Sequence, residues 1–184
     1  MNAPLAGVLF LGCLIALDNS SGDQTFRYRA SVVDVVDGNT VVLSNRTFQG
    51  NIKLAGTVVV KLDAVKAPEI DQPGGGIAKA YLSKLVQDKE ILVVELTEMG
   101  MSRGAWVFVG PEERSVNGLL IEDGMVWLTK PSVNLAISYS KAKEAYDKMK
   151  ETYPKIKERR VGIWNSTNAV PPWEWEVRRK SQSK

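Results

Sequence analysis

The 184-residue sequence contains no histidine and one cysteine, Cys13. The first absence removes the commonest general base and the commonest transition-metal ligand, so any hydrolytic chemistry falls to carboxylates or to a metal held by oxygen atoms. The second excludes an intrachain disulfide, and the fold must stand on its core. No Lys or Arg precedes Arg27, and neither an internal repeat nor a low-complexity tract is present. At 44% hydrophobic and 24% charged, the composition is globular rather than disordered. The length suits one domain with an appendage.

The net charge of +3 conceals an asymmetry. Residues 130–184 carry 13 Lys/Arg against 6 Asp/Glu, whereas residues 1–129 carry 11 against 15. The C-terminal third is therefore the surface expected to meet an anionic partner, although a solvated lysine-rich helix would give the same count. At the other end, Ala3 to Leu17 is one apolar run. As a helix it would span about 22 Å, short of a hydrocarbon core of about 30 Å. No small-x-small cleavage site follows it, so residues 1–25 are expected to form an N-terminal membrane anchor or signal-like segment with its linker. A membrane-associated protein is the resulting expectation, with residues 3–17 in the membrane and the side undetermined. Cleavage within residues 1–22 would instead make it secreted.

From Phe26 the pattern becomes strand-like, rich in aromatic and β-branched residues as far as Val36. Asp37-Gly38-Asn39 supplies a turn and Thr40 to Leu43 a second strand. Ile52–Leu54 with Val58–Leu62, Ile91–Leu96 and Gly104–Val109 read as further strands. Ile77 to Val86 has helical spacing. A short helix over Val116–Ile121 ends before Gly124, which suits a left-handed cap position. Tyr139 to about Val161 reads as a long helix that Pro154 is expected to kink or divide. This order predicts a mainly β domain with helices (α+β), a five-stranded OB-type Greek-key β-barrel with helical additions over residues 26–176, and a basic tail over 177–184.

Several segments resemble the staphylococcal nuclease-like (thermonuclease) family. They are Val35-Val36-Asp37-Gly38-Asn39-Thr40, Ala67-Pro68-Glu69, Ala78-Lys79-Ala80-Tyr81-Leu82, Arg103-Gly104-Ala105-Trp106, Val116-Asn117-Gly118-Leu119-Leu120, Val161-Gly162-Ile163-Trp164 and Pro171-Pro172-Trp173-Glu174-Trp175. Their order and spacing cover about Ser31 to Glu176. The resemblance implies an OB barrel in which carboxylates hold Ca²⁺, a glutamate activates water and two arginines stabilise the phosphate. Carried over, it places Glu69 on the general base, Arg103 on one arginine and Lys61 on the other, where the charge is kept but the planar fork is lost. Asn39 and Lys66 fall on calcium-ligating aspartates and Ala67 on a threonine that offers its carbonyl. Asp37 keeps the neighbouring acid of the turn.

Across Asn39, Lys66 and Glu69 the formal charge is therefore about zero, where the family brings about −3. An ammonium a few ångströms from a divalent cation is repelled by several kcal/mol at an effective dielectric near ~20. The sequence thus predicts no bound calcium, no other cofactor, and a Lys66 ammonium that fills the vacated site and pairs with Glu69 or Asp37. The functional reading is a non-catalytic, membrane-associated accessory or binding subunit that works with other protein subunits. One alternative is a Ca²⁺-dependent endonuclease on DNA or RNA. Another is a single-strand-binding protein that does not cleave. Trp164, Trp173 and Trp175 either stack bases or pack the chain end onto the barrel. Arg178, Arg179 and Lys180 are candidates for phosphate contact.

Overall fold

The computed structural model describes residues 23–48, 51–98, 101–132, 139–166 and 169–182. The apolar run at 3–17, and with it the expected anchor, lies outside the described residues. Among those described, no helix is long and apolar enough to cross a membrane.

A long strand, β1 (Asp23–Asp37), organises the barrel. It pairs antiparallel with β2 (Thr40–Phe48) through the Asp37–Thr40 turn, and with β6 (Glu90–Glu98) in a nine-residue register. Its alternation explains its faces. Tyr28, Ala30 and Val32 point inward, a register shift between Val32 and Asp34 changes the phase, and Val35 is buried next. The short strands β3 (Ile52–Leu54) and β4 (Val58–Lys61) share the far edge of β2. β7 (Met101–Val109) continues the sheet beyond β6 and then meets β8 (Arg114–Ser115). The barrel closes where Leu62, just past β4, bridges Ala105 of β7 in parallel and the Asp63 N–H donates to the Ala105 carbonyl at 2.8 Å. The cycle β4-β2-β1-β6-β7-β4 is the five-stranded barrel expected from the sequence. β3, β8 and a two-stranded ribbon of β5 (Val65–Lys66) and β9 (Trp127–Leu128) are additions to it.

Helix α1 (Gly75–Val86) buries Ala78, Leu82 and Val86, and α2 (Val116–Glu122) buries Val116, Leu120 and Ile121. Gly124 takes the left-handed conformation (φ 64°) after α2, as its position in the sequence suggests. α3 (Ser140–Glu158) is one element with Pro154 inside it, not two. The amide that Pro154 lacks would have bonded to the Lys150 carbonyl, and both residues are exposed, so water can serve that carbonyl. Ala142, Met149 and Ile156, seven residues apart, hold the opposite face in the core. A fourth helix, α4 (Pro172–Gln182), runs from the end of the 26–176 segment into the basic tail expected from residue 177.

The barrel core is apolar, from Val41 and Leu43 on β2 to Val93, Trp106 and Ile121. A second, aromatic cluster of Trp127, Ile156 and Trp164 joins α3 to the β5–β9 ribbon. One buried polar side chain fastens the barrel seam. Asn117 accepts from the Val107 N–H at 3.1 Å and donates to the carbonyls of Asp63 (2.8 Å) and Ala105 (3.2 Å).

Candidate active site

The β1–β2 turn, the seam of the barrel and the loop before α1 meet at one end of the barrel. The Asp37 carboxylate accepts from the Asn39 N–H at 2.8 Å and so shapes the turn. Asn39 is 2% exposed. Its Oδ1 accepts from the Ala67 N–H at 3.2 Å, its Nδ2 donates to the Val65 carbonyl at 3.4 Å, and its own carbonyl accepts from the Leu62 N–H at 2.8 Å. Since both amide partners are backbone groups of fixed polarity, the site is complementary to Asn rather than to an aspartate, whose second oxygen would face the Val65 carbonyl. Close packing brings these segments together. A Cβ on Gly38 would lie 2.6 Å from the Cβ atoms of both Ala67 and Ala78.

The Lys66 Nζ donates to Glu69 Oε1 at 2.6 Å, and the two side chains are 25% and 29% exposed. The pairing predicted from the sequence is therefore with Glu69; Asp37 is occupied by its turn. Glu69 is fixed by its backbone. Its N–H donates to Gln72 Oε1 at 3.1 Å and its carbonyl accepts from the Gln72 N–H at 2.9 Å. A Cβ on Gly75 would sit 2.0 Å from that carbonyl, so glycine at the start of α1 lets the helix abut the loop. The buried Gln72 also donates to the Val170 carbonyl at 2.5 Å, which ties the loop to the segment before α4.

The other candidates lie on β4, β7 and α4. Lys61 lies opposite Thr40 on β4 with an exposed side chain. Arg103 is the extra residue of a β-bulge, because Leu96 pairs with Gly104 and Thr97 with Ser102. Its side chain lies outside the described residues. Arg178 and Arg179 are ordered on α4 at 3.6 Å from Glu174 and from Asp71, and Lys180 is exposed beside them. The Asp71 contact places α4 against the Glu69 loop. Of the tryptophans, Trp164 packs, Trp175 is half-buried and Trp173 is exposed. Asp63, Gln72 and Asn117 were not singled out as site residues from the sequence. Each acts through contacts far along the chain that no local pattern announces. Asp63, 6% exposed, accepts from the Ser132 N–H at 3.0 Å, and burial pushes its carboxyl above the usual range despite that bond.

A calcium ion needs six to eight oxygen ligands, carboxylates prominent among them. The residues present do not fit that demand. The Asn39 oxygen is held by the Ala67 amide, Lys66 brings an ammonium, and Glu69 is engaged by it. Among the described residues no group of three His, Cys, Asp or Glu side chains could hold a metal ion.

An OB-type barrel with an acid-bearing turn, a glutamate loop after β5 and an arginine bulge on β7 defines the nuclease-like class of barrels. Comparison places the chain within it. Residues 59–166 match the family described as staphylococcal nuclease homologue, and the chain belongs to that family. It is similar to a micrococcal nuclease from Shigella flexneri, 29% identical over 161 residues that cover 80% of each chain. It is also similar to Protein ParB of Escherichia coli, 28% identical with 85% of this chain and 82% of that protein covered. An uncharacterized endonuclease of Escherichia coli O157:H7 is 24% identical, with 80% and 84% covered.

Proposed function

We propose that this chain is a nucleic-acid-directed member of the nuclease family, which engages a phosphodiester at the Lys61–Lys66–Glu69 pocket and does not cleave it by the calcium route. The nuclease names of its relatives support nucleic acid as the partner, in preference to the accessory-subunit role expected from the sequence. The observation that carries the non-calcium half is the 2.6 Å Lys66–Glu69 bond. An ammonium there supplies a point charge to a phosphate oxygen. It also occupies the carboxylate that would otherwise accept a proton from water.

A second reading, an active endonuclease, is favoured by the retained Glu69 and Arg103, together with the same relatives. The two separate in a cleavage assay on single-stranded DNA with Ca²⁺ and with chelator. The expected result is binding without Ca²⁺-dependent cleavage, and a gain of such cleavage in Asn39→Asp/Lys66→Asp, which restores two carboxylates. Ca²⁺-dependent cleavage by the unmodified protein, lost in Glu69→Gln, would establish the second reading instead.

A further inference from the structure

The positive charge of the C-terminal third is unevenly used. On α3, Lys141 pairs with Glu113, Lys148 with Glu122, and Lys143 and Lys150 with Asp147. At the C-terminal end of α3 the situation differs. Lys155, Lys157, Arg159 and Arg160 are all exposed, and among the described residues none is ion-paired. Lys157 instead lies over the rings of Trp164 and Tyr153, at 5.0 and 5.6 Å. The helix dipole favours cations in a last turn. It does not account for where this cluster sits.

Lys157, within this group, is joined to the candidate site through Trp164. The Trp164 ring packs on Trp127 with centroids 5.0 Å apart, and Trp127 is the ladder partner of Lys66. A Cβ on Gly74, just before α1, would touch Ile163, the neighbour of Trp164, at 3.2 Å. The Trp127–Trp164 pair thus links Lys66 on the ribbon to Lys157 on α3, and Lys155, Arg159 and Arg160 stand within three residues of Lys157 at the same end of the helix. From this geometry we infer that the end of α3 is a second phosphate-contacting site, onto which a nucleic-acid strand held at the Lys61–Lys66 pocket continues. The inference rests on the reading of that pocket as a phosphodiester site. A polyanion with regularly spaced charges can use both sites at once, which is why a strand fits better than an isolated anionic headgroup.

The test is the salt dependence of binding of a labelled oligodeoxythymidylate to the full chain. Each phosphate neutralised on a single strand contributes about −0.7 to the slope of log K against log salt. Lys155→Gln/Arg159→Gln/Arg160→Gln should flatten the slope by up to about 2 and weaken binding. Lys143→Gln/Lys148→Gln/Lys150→Gln makes the same charge change at ion-paired positions and should leave the slope nearly unaltered. Should the first variant fail to fold, Arg159→Gln alone should give about a third of its effect. An equal response in both triple variants, or none in the first, overturns the inference. If Lys61→Gln still lowers the slope in that case, the pocket reading stands without it. Absence of oligonucleotide binding by the unmodified protein overturns both. So does loss of binding to phosphatidylserine vesicles in the first variant with the oligonucleotide slope unchanged, as far as the α3 site is concerned.

Discussion

Single residues decide what the pocket can hold. Asn39 serves a buried donor and a buried acceptor at once, so truncation to Ala strands the Ala67 amide and the Val65 carbonyl. A loss of about 1–3 kcal/mol is expected, measured by urea denaturation, and a loss within a few tenths would show that the latch contributes little. Asp63 behaves in the opposite sense to a paired surface carboxylate. Burial raises its folded pKa above the unfolded value near ~3.9, so the folded chain binds the proton more readily than the unfolded one. Its contribution is most favourable below the unfolded pKa and is lost as the pH rises through the folded pKa. Asp63→Asn removes that titration while keeping one oxygen for Ser132. The melting temperature of Asp63→Asn relative to the unmodified protein should therefore increase from pH 4 to pH 7, and a flat difference would refute the assignment.

At the scale of elements, the site is a junction of three backbones brought within contact by small residues. Gly38 on the turn faces Ala67 on the loop and Ala78 on α1, and none can grow without displacing another element. Gly38→Ala should cost about 1–3 kcal/mol in chemical denaturation, with pairing between Lys66 and Glu69 disturbed as the loop shifts. Much of this level was legible beforehand. The turn sequence, the strand alternation on β1 and the position of Gly124 are local signals, and the Lys66–Glu69 bond follows from two long side chains three residues apart. What was not legible depends on distance. Gln72 reaches Val170, 98 residues away, and Asn117 reaches Asp63, 54 residues away. Both use amide side chains that look like ordinary loop polarity in the sequence. Of the two outcomes expected at Pro154, a kink or a division, the division does not occur: the buried stripe of Ala142, Met149 and Ile156 carries the helix through it. The helix at 172–182 was hidden by an aromatic-rich segment whose tryptophans read as packing.

Over the whole molecule, two apolar clusters have to act as one for the pocket and the end of α3 to keep a fixed separation. They are coupled in three ways. Tyr153 packs against both clusters, the β5–β9 ribbon carries Val65 in the barrel core and Trp127 in the aromatic cluster, and α3 is strapped to α2 and the β7–β8 turn by Lys148–Glu122 and Lys141–Glu113. The ion pairs are exposed and contribute little alone. The shared burial of Ala142, Met149 and Ile156 along α3 carries the coupling. Unfolding should then be a single cooperative transition. Far-UV circular dichroism, in which the long helix α3 figures prominently, and tryptophan fluorescence, which reports Trp106 in the barrel and Trp127 and Trp164 in the second cluster, should give coincident urea midpoints. Separated midpoints would mean that α3 and its aromatic cluster form an independent unit, and a strand spanning both sites would then have to order that unit as it binds.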